Sequence, residues 1–213
     1  MFSFFRSDSW FSDLLSRFSS LIILNLLFLC SCIPIFTIGA ALSAMYDVVF
    51  RMDTDREGRL ISTYFRSFLE NFKKSTPVWL LFLLISAASC ANAVIFSGLG
   101  GIAGNALFVF SVIILINCIL IAGYTFPLIS QFENTIPNHL KNSLLLSVAN
   151  LPRTLLVAAV NCFPWALLAV NLYTFIQSSF LWLVLYFAAA AYFNSRVLMK
   201  VFDGLRKQAS EKV

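Results

Sequence analysis

The chain has 213 residues, of which 60% are hydrophobic and only 12% are charged. Phenylalanine alone occurs 23 times, which is far outside the composition of soluble globular proteins. This composition excludes a soluble enzyme and gives no reason to expect a nucleic-acid partner. It predicts an all-α fold, a polytopic helix bundle whose surroundings are the lipid bilayer.

The first apolar run contains a proline near its middle, Pro34, within a predicted span over about residues 17–50. A proline removes one backbone donor and disfavours helix at the residue before it, and Gly39 lets a neighbouring helix come close. We therefore predict a helix that is broken at Pro34 and closely packed after it. Freed backbone groups at membrane depth need cover, so Pro34, Thr37 and Gly39 are expected to face inward.

Two interpretations of this break remain open. In the first, the break is a structural kink whose loose carbonyl is bound by Ser31 or Thr37. In the second, a ligand or a small solute binds beside Pro34. Asn25 belongs to the same segment, and an asparagine in an apolar run is expected to face another helix. The same expectation applies to Asn92, Asn105, Asn117 and Asn161.

After the charged loop RMDTDREGRL, residues 61–75 show the clearest amphipathic pattern in the sequence. Apolar residues recur at i, i+3, i+4, i+7, i+8 and i+11 from Ile61 to Phe72, and charged residues occupy the other side. This helix either lies flat on anionic lipid or docks on a partner protein. The residues predicted to carry docking are Phe65, Phe68, Asn71, Phe72, Lys73 and Lys74.

The other predicted spans cover about residues 77–96, 102–126, 151–170 and 180–198, and a second amphipathic helix covers about 135–148. Asp47 and Arg51 are spaced for a local ion pair on the helix surface. The five cysteines match no zinc spacing, and His139 is the only histidine and is expected to be an interfacial residue. No metal site, cofactor site or catalytic residue is predicted.

Membrane orientation follows from the lysines and arginines, which favour the cytoplasmic side. The loops after the first and third spans and the C-terminal tail are basic, whereas the turns after the second and fourth spans carry no charge. Five spans then place the C-terminus and both amphipathic helices in the cytoplasm and the N-terminus outside. A six-segment alternative splits the first run at Pro34 and returns the N-terminus to the cytoplasm. Neither half is expected to cross a bilayer core of ~30 Å, so that hairpin would be re-entrant.

Three stretches carry a resemblance to a known family. They are NLLFLCSCIPIFTIGAALSAMY from Asn25 to Tyr46, FRSFLENFKKS from Phe65 to Ser75, and ANLP from Ala149 to Pro152. The chain resembles the YesL-like family of bacterial integral membrane proteins, a domain of unknown function, and the resemblance implies the bacterial plasma membrane. Its members are often encoded beside genes for carbohydrate uptake, which implies a role near a sugar ABC transporter by association only.

Two functions are therefore expected as alternatives. The first is a non-enzymatic accessory or regulatory component that docks on an ABC permease through residues 61–75. The second is a small-solute translocator with a path beside the break at Pro34.

Overall fold

The computed structural model describes residues 9–53, 59–98 and 101–210, and these residues form helices and turns without strands. The helices are α1 (Ser9–Ser31), α2 (Ile38–Asp53), α3 (Leu60–Ser97), α4 (Gly101–Gln131), α5 (Ile136–Ala149), α6 (Leu151–Val170), α7 (Leu172–Gln177), α8 (Ser179–Leu181) and α9 (Phe187–Ser210). A short 3-10 turn, Ile35–Thr37, precedes α2, and a π-helical turn, Trp182–Tyr186, joins α8 to α9. Among the described residues, five helical segments are long and apolar enough to cross a membrane.

The predicted first span, residues 17–50, is two helices rather than one. α1 ends at Ser31, and α2 begins at Ile38. The segment Ile35–Met52 has the length and hydropathy of a spanning segment, so the expectation that both halves are too short does not hold for this half. The apolar part of α1, Leu15–Ser31, is shorter.

Side-chain contacts along α9 give the direction of both halves. Arg17 of α1 binds Tyr192, whereas Asn25, two turns later in α1, binds Leu183. α1 therefore runs antiparallel to α9. In α2 the order is reversed, because Tyr46 binds Asn194 and Phe50 packs on Phe202. The N-terminal run is thus a helical hairpin, and the start of α1 lies at the same end of the bundle as the end of α9.

α2 is the centre of the bundle, because α1, α3, α4 and α9 all contact it. Of the segment Ile35–Met52, 72% is buried inside the protein. Asp47 is part of this buried helix at 5% exposure, so its prediction as a surface residue was wrong. Its carboxylate accepts the Nε–H of Arg51, at 3.1 Å from each oxygen. The ion pair is local, as predicted, but only its arginine reaches the surface.

α3 runs without interruption through Pro77, so residues 61–75 and 77–96 are not separate elements. Pro77 removes one backbone bond to Lys73, but Pro77 lies on the exposed side of α3, where this carbonyl is not sealed in the core. Residues 61–75 therefore continue directly into a segment that is long and apolar enough to span a membrane. The N-terminal half of α3 packs on the core through Tyr64, Ser67 and Ser75, which are all buried.

α5 confirms a helix near residues 135–148, but its faces differ from those of a soluble amphipathic helix. The buried residues are polar, namely His139, Ser143 and Ser147. Leu145 and Val148 are more than half exposed. His139 is therefore buried within the protein, at 1% exposure. Its position at the membrane interface stays a prediction.

Candidate functional site

The π-helical turn Trp182–Tyr186 is an irregular part of the bundle, and Asn25 of α1 lies against it with no exposed surface. The Asn25 side chain donates to the carbonyls of Trp182 at 3.2 Å and Leu183 at 2.8 Å. Its Oδ1 accepts the backbone N–H of Ala188 at 3.0 Å. Asn25 thus satisfies backbone groups of a widened turn, and the amide joins a carbonyl and an N–H that are five residues apart.

Tyr186 links the same turn to α6. Pro164 lies inside α6 and cannot donate to Val160, the residue four positions before it. The hydroxyl of Tyr186 donates to the Val160 carbonyl instead. Phe163 and Trp182 pack around Tyr186, with the Trp182 and Tyr186 ring centroids 4.7 Å apart. The irregular turn therefore connects α1, α6 and α9. The connections use backbone carbonyls that would be bonded within the helix if α6 and the turn were regular.

A second polar contact crosses the bundle between α2, α6 and α9. The Asn194 amide donates to Asn161 at 2.9 Å and to the Tyr46 hydroxyl at 3.3 Å. Asn194 is fully buried, and its Oδ1 has no hydrogen-bond partner among the described residues. Asn25 and Asn161 therefore contact other helices, as predicted. Asn92, Asn105 and Asn117 are exposed, so that prediction was wrong for them. Asn117 binds the Ile113 carbonyl of its own helix.

At the helix break, the backbone groups are satisfied within the protein. The hydroxyl of Thr37 lies 2.5 Å from the Ser31 carbonyl and 2.6 Å from the Pro34 carbonyl. This agrees with the interpretation of the break as a structural kink, in which Thr37 binds a loose carbonyl. The indole N–H of Trp79 donates to Ile35 at 2.8 Å and ties the turn to α3. Thr37 is buried, but Pro34 is exposed, which corrects the expectation that it faces inward.

Gly39 lies at a close approach of α2 to α3. A Cβ at this position would be 2.6 Å from the Ser75 carbonyl oxygen and 2.6 Å from Cβ of Trp79. Both are far inside van der Waals contact, so the absence of a side chain at Gly39 permits the approach. Beside it, the Ser43 and Ser75 hydroxyls are 2.7 Å apart in the buried interface.

The residues predicted to dock a partner divide between two faces of α3. Phe65 and Lys73 are exposed, whereas Phe68 and Phe72 are partly buried and continue a row of ring contacts from the buried Tyr64. Asn71 binds Ser67 one turn earlier. Lys74 pairs with Glu133 in the linker between α4 and α5 and so ties two elements together.

The ion pair shifts the pKa of Glu133, which is one of its two members, and contributes to the pKa of the buried His139. Hydrogen bonding and charge from Lys74 lower the pKa of Glu133 below its usual value. Burial lowers the pKa of His139, the positive charge of Lys74 lowers it further, and Glu133 partly opposes the shift. The Nε2 atom of His139 has no hydrogen-bond partner in the described part of the chain. His139 is therefore stabilised as the neutral imidazole.

At the π-helical turn, at the helix break and between α6 and α9, the contacts between elements are made by amides and hydroxyls. These groups fix the positions of the helices relative to one another. Among residues 9–53, 59–98 and 101–210, no three His, Cys, Asp or Glu residues are grouped so that they could hold a metal ion.

Comparison with known proteins relates only part of this architecture to a family. Residues 21–93, which include the helix break, α2 and most of α3, match the model of a family described as a protein of unknown function, DUF624. Neither a curated protein nor a solved structure matches the chain. The matched region contains Asn25, Pro34, Thr37 and Gly39, so it includes the second half of α1, the helix break and the close contact between α2 and α3.

Proposed function

We propose that this protein is a non-enzymatic accessory component of a bacterial plasma membrane that docks on a carbohydrate ABC permease and regulates it. The observation that carries the proposal is an exposed apolar edge on the N-terminal half of α3, next to basic residues. The identity of the partner as a carbohydrate permease rests on the family resemblance alone. The position of the docking edge is inferred from the exposed side chains.

Helix length supports a docking segment outside the hydrocarbon. α3 has 38 residues. At 1.5 Å per residue it is about 57 Å long, whereas a bilayer with its head groups is roughly 40–45 Å thick. The charged residues of α3 all lie in its first half, including Arg66 and Lys73. We infer that this half extends into the cytoplasmic head-group region and beyond it.

The docking edge consists of Ile61, Phe65 and Leu69, which recur every four residues and therefore lie on one side of α3. They are 53%, 48% and 71% exposed. The ion pair of Arg66 with Glu70 lies beside them. Large apolar side chains next to arginine are typical of protein interfaces. Of the three, Phe65 also meets the buried Tyr64 ring at its edge, with 5.7 Å between the ring centroids.

We also propose that both termini lie in the cytoplasm. Because α1 is antiparallel to α9, Arg17 lies near Tyr192, on the side of the C-terminal tail. With six alternating segments, all 15 lysines and arginines then fall on one side of the membrane. The positive-inside tendency makes this side the cytoplasm. We therefore propose the six-segment alternative in place of the five-span arrangement.

The alternative function, a translocator with a path beside Pro34, has less support. Thr37 occupies the freed carbonyls, and Gly39 lies in contact with α3. A path at this position would need these contacts to open.

The docking proposal is tested by replacing two exposed residues and measuring recovery of the permease. Ile61→Ala with Leu69→Ala removes two of the three side chains of the docking edge but leaves the ring contacts of Tyr64 in place. Phe65 and Phe68 are not used, because both rings contact the ring of Tyr64. Truncating a buried interface anchor typically costs ~2 kcal/mol, so we expect roughly 30-fold less co-purified permease from membranes that hold equal amounts of protein.

The matched control is Phe110→Ala with Ile113→Ala, two exposed apolar residues of α4, at 60% and 49% exposure. We expect this variant to recover the permease as the unchanged protein does. Equal recovery from both double variants would contradict docking through α3.

A further inference from the structure

Two arginines from distant parts of the chain meet at one hydroxyl group. Arg17 of α1 donates to the Tyr192 hydroxyl at 3.1 Å, and Arg196 of α9 donates to the same oxygen. The Arg196 guanidinium also lies 4.9 Å from the centroid of the Tyr192 ring. A tyrosine oxygen has two lone pairs, and the two arginines occupy them from two helices.

From this arrangement we propose a binding site for the phosphodiester head group of an anionic phospholipid, between α1 and α9. Two guanidinium groups that share one acceptor oxygen lie within two hydrogen-bond lengths of each other, so their N–H donors converge on one place. A phosphate there can accept hydrogen bonds from both groups. The planar guanidinium also matches phosphate oxygens in geometry, and a tyrosine hydroxyl that accepts two bonds still has a hydrogen to donate.

The surroundings fit a lipid rather than a soluble anion. Phe18 follows Arg17, and Phe193 follows Tyr192, with exposures of 48% and 49%. Both rings are therefore accessible to acyl chains beside the basic groups. Arg196 is exposed, and Lys200 is exposed one turn later on the same side of α9. Basic groups between membrane helices at the cytoplasmic surface are a known mode of head-group binding.

The site depends on the hairpin formed by α1 and α2. If residues 17–50 formed one kinked span, Arg17 and Arg196 would lie at opposite surfaces of the membrane. In the hairpin they lie at the same end of the bundle. The inference rests on the orientation proposed above, which makes this end cytoplasmic, where a bacterial membrane supplies anionic lipid. The proposal does not depend on which protein, if any, docks on α3.

The test uses the full-length protein in detergent, with phosphatidylglycerol, phosphatidylcholine or inorganic phosphate added, and measures bound lipid by native mass spectrometry and thermal stabilisation. We expect phosphatidylglycerol to bind at least tenfold more tightly than phosphatidylcholine. Inorganic phosphate at the same concentration is expected to give no stabilisation. Equal binding of the two lipids would overturn the proposal, and full stabilisation by inorganic phosphate would overturn its lipid part.

The variant Arg17→Gln with Arg196→Gln is expected to lose this preference. The matched control, Arg66→Gln with Lys73→Gln, removes two positive charges from an exposed part of α3 and is expected to keep it. If the first double variant does not fold, Arg196→Gln alone serves, because Arg196 is exposed, and it is expected to weaken phosphatidylglycerol binding severalfold. Unchanged preference in a folded arginine variant, or an equal loss in the control, would overturn the site.

Discussion

The side-chain amide of Asn25 lies between the carbonyl of Leu183 and the backbone N–H of Ala188, at 2.8 and 3.0 Å. Those two groups are five residues apart, which is the hydrogen-bond spacing of a π-helical turn. The amide thus takes the place of a backbone bond and holds α1 against the start of α9. Such a contact makes one side chain responsible for both a helix interface and a local backbone shape.

The first prediction concerns this contact. Asn25→Ala leaves buried backbone groups without partners, and we expect a loss of about 2–3 kcal/mol in the free energy of unfolding. The control is Asn117→Ala, because Asn117 is exposed and binds only its own helix. We expect that change to be within about 0.5 kcal/mol. Thermal unfolding in detergent measures both, and equal losses would argue against a special role for Asn25.

Tyr186 and Pro164 provide a second prediction, in the form of a double-mutant cycle. Tyr186→Phe removes the donor to the Val160 carbonyl and is expected to cost about 1–3 kcal/mol. Pro164→Ala restores a backbone donor to that carbonyl, so Tyr186→Phe should cost clearly less in the Pro164→Ala background. Additive losses in the cycle would show that the hydroxyl does not compensate for the proline.

The third prediction compares Gly39 with Pro34. Gly39→Ala places a methyl group 2.6 Å from α3, and relief of this clash is expected to cost about 3 kcal/mol or more and to reduce membrane accumulation. Gly204→Ala is the control, because a Cβ there meets no atom within 4 Å. Pro34→Ala is expected to be mild, since Pro34 is exposed. Equal losses for Gly39→Ala and Pro34→Ala would indicate that the break itself is required.

Membrane orientation can be measured by cysteine labelling in a background that lacks the five native cysteines. We expect a cysteine at Gln177 to react in intact cells, and cysteines at Arg59 or Lys207 to react only after lysis. A cysteine at Ser9 distinguishes the two arrangements. It should react only after lysis if α1 and α2 form a hairpin across the membrane, whereas reaction in intact cells would favour five spans.

The fifth prediction is a dependence of stability on pH. The pKa of His139 is lowered in the folded state, so the unfolded chain binds more protons below its ordinary value of about 6.5. Stability is therefore complete above that value and falls as the pH decreases toward the folded pKa, by at most about 1.4 kcal/mol per pH unit. His139 is the only histidine, so His139→Gln should remove this slope between pH 7 and 5.5. An unchanged slope in the variant would assign it to other groups.

Local rules predicted the break and the close packing, but not the path of the chain after the break. Pro34 and Gly39 act through the missing N–H of proline and the missing side chain of glycine, which follow from the residue type alone. The direction of α1 depends on a contact between Arg17 and Tyr192, which are 175 residues apart. One signal was nevertheless available, because only a hairpin places every lysine and arginine on one side of the membrane.

At the junction of α1 with α9, the sequence predicted one of the two partners in the contact. An asparagine in an apolar run requires a partner, so Asn25 could be selected from the sequence. Its partner could not, because WLVLY from Trp182 to Tyr186 is apolar and carries no sign of a π-helical turn. The prediction of separate helices over residues 61–75 and 77–96 was wrong for a related reason, because Pro77 does not interrupt α3. Proline stops a helix only where packing does not hold the flanking turns together.

The uncharged turns have a consequence for how the chain enters the membrane. The turns between α1 and α2, between α3 and α4, and between α6 and α8 contain no Lys, Arg, Asp or Glu. In the six-segment arrangement proposed above, each pair of helices inserts as a hairpin whose tip crosses the lipid without carrying a charge, which would otherwise cost about 2.5–3.5 kcal/mol on translocon scales. We expect insertion to need neither the membrane potential nor a translocation motor, because nothing charged has to reach the far side.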